Sequence, residues 1–358
     1  MRAFVALLLL ALLSACSTPP APPPGQPLGS AVDAIVADAM AAQRVPGIAV
    51  GVLRQGETLL ARGYGLADVE HAVAVTPATV FQTGSLAKQF AAVAVMQQVE
   101  AGRLGLDDPV RRFLPALPAA WDGITVRQLL NHTAGVPDHP PGRLDLRRDY
   151  SEAELVELAA SLPLAAPAGT RWQYADTGYQ LIGVLLRALS GRFYGDLLAE
   201  RVFQPLGMKS ARVISEEAIV MHRAAGYRLR DGQLLNQEWV APTLNTTADG
   251  SLYLSLDDWL RWARAVQRRE LLRPASWDAV FSPATLAGGA RHPYGLGWEL
   301  SGAAQPAGYR HAGAWQGFST AYLHRDAAGL TVIVLCNLGS ADAVAIAERI
   351  ADAAGAAP

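Results

Sequence analysis

An α+β fold in two lobes is what this sequence predicts: a mainly antiparallel sheet assembled from both chain ends and flanked by helices, plus a helical lobe between them. Three observations carry that expectation. Strand-like apolar runs occur at both ends, helical periodicity dominates the segment between them, and no fixed-period repeat points to a solenoid or propeller. With 358 residues, 51% hydrophobic and 17% charged, the chain has ample material for a large core.

The first element is an address. Arg2 followed by the apolar run Phe4–Leu13 has the charged start and short apolar centre of a secretory signal, and is too short to span a bilayer. Residues 1–15 are therefore read as a signal peptide. Leu13-Ser14-Ala15-Cys16 resembles the lipobox of bacterial lipoproteins, where cleavage before the cysteine leaves a thiol that receives a diacylglycerol group. Cys16 then becomes a membrane anchor in the cell envelope, facing the periplasm; an ordinary signal cut near Ala15 is the alternative. Residues 16–29 carry Pro19, Pro20, Pro22, Pro23, Pro24 and Pro27, a composition that favours extended polyproline and reads as a tether. The folded body is expected over residues 30–355.

Within the body, Ala31–Met40 has helical spacing, and Ile48–Leu53 with Thr58–Gly65 forms a hairpin around Arg54-Gln55-Gly56-Glu57. From Ser85 to about Val280 helical patterns are punctuated by Gly and Pro. Strands are expected at Tyr294–Leu300, Gly308–Ala312, Ser319–His324 and Leu330–Leu335, with a turn at Asp326-Ala327-Ala328-Gly329 and a final helix over Ala341–Ala354. Ser255-Leu256-Asp257-Asp258 has the pattern of a helix cap.

Composition also excludes function classes. A formal net charge of −2 without a long basic stretch leaves no electrostatic footprint for nucleic acid. The two cysteines, Cys16 and Cys336, lie at opposite ends, which argues against a disulfide framework, and Cys336 follows an apolar run as a small buried residue. No His-Glu-x-x-His pair, phosphate-cradling loop or dinucleotide fingerprint occurs, so neither a metal nor a cofactor is expected.

Chemistry concentrates in Thr83-Gly84-Ser85-Leu86-Ala87-Lys88. At a helix start, residues three apart share a face, so Lys88 can bring its amine to the Ser85 hydroxyl. Ser85 is equally an ordinary helix cap when taken alone. Tyr174, in Trp172-Gln173-Tyr174-Ala175-Asp176-Thr177, reads either as a proton relay or as a packed aromatic beside a helix capped by Asp176 or Thr177. The succession from Thr83 through Glu100-Ala101-Gly102-Arg103-Leu104 to Leu130-Asn131-His132-Thr133-Ala134-Gly135 resembles the class C beta-lactamase and D-alanyl-D-alanine carboxypeptidase family.

That resemblance implies a serine hydrolase with the site between lobes. By it, Ser85 is the acylated nucleophile, Lys88 and Tyr174 move protons, and Asp176 stands where the family usually has Asn. His311-Ala312-Gly313-Ala314 matches the family's Lys-Thr-Gly strand with His for Lys; it implies that the Ala314 and Ser85 amides form an oxyanion hole, that His311 orients the tyrosine or the substrate, and that Gly313 permits close approach. His132 reads as a hydrogen-bonded scaffold residue, and Ser319 is a poor second nucleophile. Expected substrates are a lactam, a cell-wall D-amino-acid peptide or a short ester, with Asp176 and His311 favouring the last two. A non-catalytic penicillin- or peptidoglycan-binding lipoprotein is the alternative.

Overall fold

The computed structural model describes residues 27–140, 142–213 and 218–356. Cys16, the signal segment and nearly all of the proline-rich tether lie outside these residues. Helix α1 (Leu28–Gln43) leads into the hairpin of β1 (Gly47–Arg54) and β2 (Glu57–Asp68), followed by the short β3 (Val73–Ala74). The helix thus begins two residues inside the segment read as tether, directly after Pro27. Proline suits the position before a helix because it has no N–H to leave unpaired.

The helical lobe opens with β4 (Val80–Gln82), a 3₁₀ turn over Gly84–Ala87 and α2 (Lys88–Glu100). It continues through α3 (Val126–Leu130), α4 (Glu152–Ala160), α5 (Asp176–Ser190) and α6 (Tyr194–Leu198). A small hairpin, β5 (Tyr227–Arg230) with β6 (Gln233–Asn236), precedes β7 (Tyr253–Ser255), which pairs with β4. Then come α7 (Leu256–Gln267), α8 (Pro274–Val280) and the short pair β8 (Ala284–Thr285) and β9 (Arg291–His292). Ser255 caps α7 by accepting from the Asp258 amide at 3.3 Å, as its sequence pattern predicts.

The chain returns to the sheet through β10 (Glu299–Leu300), β11 (Gly308–Trp315), β12 (Phe318–Arg325) and β13 (Leu330–Cys336), and α9 (Ala343–Ala356) closes it. Sheet order is β10-β11-β12-β13-β1-β2-β3, antiparallel throughout. Its central pair joins the two ends of the chain, Val50 lying opposite Val334. Side chains alternate across this pair. Val50, Val52, Val332 and Val334 pack beneath α1 and α9, whereas Ala49, Leu53, Ile333 and Leu335 face the helical lobe. A strand buried on both faces reads as an unbroken apolar run, which is why β13 lacks polar alternation. Gly51 marks the close approach of α7, because a Cβ there would lie 2.8 Å from Leu256 Cδ1.

One expected strand is much shorter than its sequence implies. Of Tyr294–Leu300 only Glu299–Leu300 pairs in register with β11, and Gly295 and Gly297 instead bend the chain through a loop. The bend turns Tyr294 into the lobe interface, where it is 1% exposed.

Candidate active site

The Ser85 segment is held by main-chain contacts before its side chains act. The Thr83 amide donates to Leu252 O at 2.9 Å, and Thr320 Oγ1 donates to Thr83 O at 2.7 Å, tying the segment to β12. Gly84 has φ +56°, and a Cβ on it would fall 2.6 Å from both the amide nitrogen and the carbonyl oxygen of Ala314. Only glycine lets the turn lie this close to β11. Ser85 follows on the 3₁₀ turn, one turn earlier than the start of α2 at Lys88, and remains partly exposed.

Lys88 is 0% exposed, and its Nζ donates to three oxygens: Ser85 Oγ at 3.0 Å, Asp176 Oδ1 at 2.6 Å and the Asp249 carbonyl at 2.7 Å. An ammonium has three N–H bonds, so all are committed. Burial works against the charge, but Tyr174, Asp176 and Asp249 together outweigh it and raise the Lys88 pKa above that of a free amine. Tyr174 stands over the same ammonium, its ring centroid 5.0 Å from Nζ, and its hydroxyl interacts with both Lys88 and Ser85. Burial raises the phenol's pKa, with Lys88 pulling down and Asp176 pushing up.

Behind Tyr174 runs a chain of neutral hydrogen bonds with only one consistent polarity. The Ala175 amide donates to His132 Nδ1 at 3.2 Å, so His132 Nε2 carries the proton and donates to Tyr294 Oη at 3.2 Å. Tyr294 in turn donates to His311 Nε2 at 2.8 Å, because His311 Nδ1–H is given to Ala312 O at 2.6 Å. Burial first, and Lys88 second, depress both imidazoles, His311 to about 4. The chain fastens the Tyr174–Asp176 loop to β11 on the two sides of the site. His132 also lies against Tyr174, with centroids 4.3 Å apart, and adopts φ +61°, a conformation that costs a non-glycine residue energy.

Of the residues singled out in the sequence, Ser85, Lys88, Tyr174 and Asp176 converge. Gly313 and Ala314 form the facing wall, where a Cβ on Gly313 would lie 2.1 Å from Thr83 O. His311 is in place but reaches Tyr294, with its ring centroid 6.1 Å from that of Tyr174. Neither Asp176 nor Thr177 caps α5. That task falls to Asp138, whose Oδ1 accepts from the Thr177 amide at 3.1 Å across the fold. Tyr294, Asp138 and Asp249 carry no motif that identifies them; Asp249-Gly250 reads as an ordinary turn. Among the described residues no group of His, Cys, Asp and Glu is arranged to hold a metal.

A family model described as Beta-lactamase matches residues 32–355. Esterase EstB of Burkholderia gladioli is 29% identical over 364 residues, covering 87% of this chain and 90% of that protein. The D-aminopeptidase of Gluconobacter oxydans is 28% identical over 318 residues, covering 87% of this chain but 59% of that longer protein. An octameric penicillin-binding protein homologue from Pyrococcus abyssi superposes with a TM-score of 0.77 at 25% identity, over 90% of this chain and 76% of that one. The chain belongs to the beta-lactamase family. Within it, the protein is a serine hydrolase, in line with the enzymes it resembles.

Proposed function

We propose that the protein is an exported, lipid-anchored hydrolase that forms an acyl-enzyme on Ser85 and acts on a peptide or ester, with lactams less favoured. The observation that carries this reading is the saturated Lys88 ammonium. Because Lys88 donates to Ser85 Oγ, the serine's own hydrogen is directed elsewhere, and Tyr174 is the acceptor beside it. Ser85 Oγ attacks the carbonyl carbon as its proton passes to Tyr174 in its minor phenolate form, which Lys88 favours and burial opposes. The tetrahedral oxygen takes its charge between the Ser85 and Ala314 amides. Collapse expels the leaving group with the proton from Tyr174, and water then repeats the sequence to free the acyl group.

Asp176 supports the substrate preference. Ionised, it is only an acceptor, and Lys88 already occupies Oδ1, so it offers no donor to a substrate carbonyl. Anchoring rests on the Cys16 leader pattern. A fluorophosphonate probe followed by peptide mass spectrometry should label Ser85 and leave Ser85→Ala unlabelled. Folded protein that never labels would refute the acyl-enzyme. Release of the protein from membranes by Cys16→Ser would test the anchor.

A further inference from the structure

Next to the Ser85–Lys88–Tyr174 group lies a pocket of about 400 Å³ whose wall includes Asp138, Asp176, Asp249, Gln180 and Trp315. Its charge is unbalanced. Asp138, Asp176 and Asp249 share one ammonium, Lys88, and burial lowers the pKa of His139 on the same wall. Asp138 is occupied in capping α5 and Asp176 in holding Lys88. Asp249 is different. It is 5% exposed; the Thr247 side chain, its own backbone amide and a long 3.5 Å contact from Gln180 Nε2 serve its carboxylate, but its Oδ1 has no hydrogen-bond partner. A buried carboxylate oxygen without a donor is costly and uncommon, so a donor supplied from outside is the natural complement.

Resting on the acyl-transfer reading above, we propose that this pocket binds a protonated amine carried by the substrate close to its scissile carbonyl. The ammonium donates to the Asp249 carboxylate, whose occluded Oδ1 turns towards it, and to the free edge of Asp176, with the Trp315 ring as a further face for the cation. The preferred substrates are then amino-acid esters or amides with a free amino group. Their neutral N-acylated counterparts lose the charge and keep a single N–H donor, so the buried carboxylates are left without a counter-charge. Discrimination on this basis is strong, because binding the neutral analogue leaves buried carboxylates without the charge they are placed to meet.

The test compares alanine methyl ester with N-acetylalanine methyl ester, in both enantiomers, on the full-length protein, with p-nitrophenyl butyrate as a neutral reference. The free amine should give at least about tenfold higher kcat/KM, and Asp249→Asn should bring the amine-to-acetyl ratio close to one. Taking the ratio within each protein cancels any general loss of activity or folding. Equal or better turnover of the acetylated ester by the wild type would overturn the proposal, as would a ratio that survives Asp249→Asn. Turnover of butyrate with Ser85 labelling but no preference sinks the amine site alone. If no ester is cleaved and Ser85 never labels, the hydrolase reading fails instead; calorimetry of the two alanine esters on Ser85→Ala then decides the amine site, tighter binding of the amine supporting it and equal binding refuting it.

Discussion

Replacing Tyr294 by Phe removes one oxygen from the centre of the His132–Tyr294–His311 chain and changes little else. The ring is 1% exposed and Phe fills the same space, so no cavity opens. What remains is a pair of orphans, His132 Nε2–H without an acceptor and His311 Nε2 without a donor. Each of the two buried unsatisfied groups costs about 1–3 kcal/mol, and the variant recovers about 1 kcal/mol by no longer burying a hydroxyl, so a net loss of about 1–5 kcal/mol is expected. Equilibrium urea unfolding reads this directly, as a lower midpoint at unchanged slope. Activity should fall as well, because the chain fixes the Tyr174 loop against β11. A stability change below about 0.5 kcal/mol would show that the two imidazoles find other partners and that the chain does not fasten the lobes.

Asp176→Asn removes a negative charge that raises the pKa of both Lys88 and Tyr174, so the rising limb of the pH profile of kcat/KM should move to lower pH; a limb that stays in place would exclude this pair as the titrating base. His311 is depressed to about 4, so between that value and its ordinary 6.5 the unfolded chain binds a proton that the folded one does not, and stability rises with pH across this window. Asp249, raised to about 6 by burial and then by Asp176, acts in the opposite sense between 3.8 and 6. His311→Gln isolates the histidine: the wild type should gain about 1.4 kcal/mol per pH unit relative to the variant between pH 4 and 6.5 in urea titrations, and parallel curves would contradict the assignment. Gly84→Ala should cost about 1–2 kcal/mol for its left-handed φ alone, and lower kcat/KM about 100-fold by pushing Ala314 away from Ser85; retained activity would mean that the two amides do not act together.

Local chemistry was legible in the sequence. The hairpin around Arg54–Glu57, the turn at Asp326–Gly329 and the cap at Ser255 are set by neighbours in the chain, and their residues announce them. Ser85 and Lys88 are three residues apart, so their contact follows from the helical repeat. Tyr294 and Asp249 were not legible, because their partners are supplied by distant segments: Tyr294 bonds to His132, and the Asp249 carbonyl to Lys88. The apolar look of Tyr294–Leu300 suggests pairing, whereas Gly295 and Gly297 allow a loop packed against α8 and α2. Asp138 shows the same limit, since a cap borrowed across the fold leaves no trace next to the helix that it completes.

The pairing of β1 with β13 has a consequence for how the protein comes into being. β1 is synthesised before the whole helical lobe and β13 after it, so the middle of the sheet cannot close until all the residues between them have been made. Joining segments so far apart is entropically demanding and slow, and β1 must meanwhile keep its apolar faces from foreign partners. A chain cut short before Leu330 would retain every residue proposed here for proton transfer, yet have no neighbour for β1 on one side. Completion of the last strand therefore decides whether those residues ever meet.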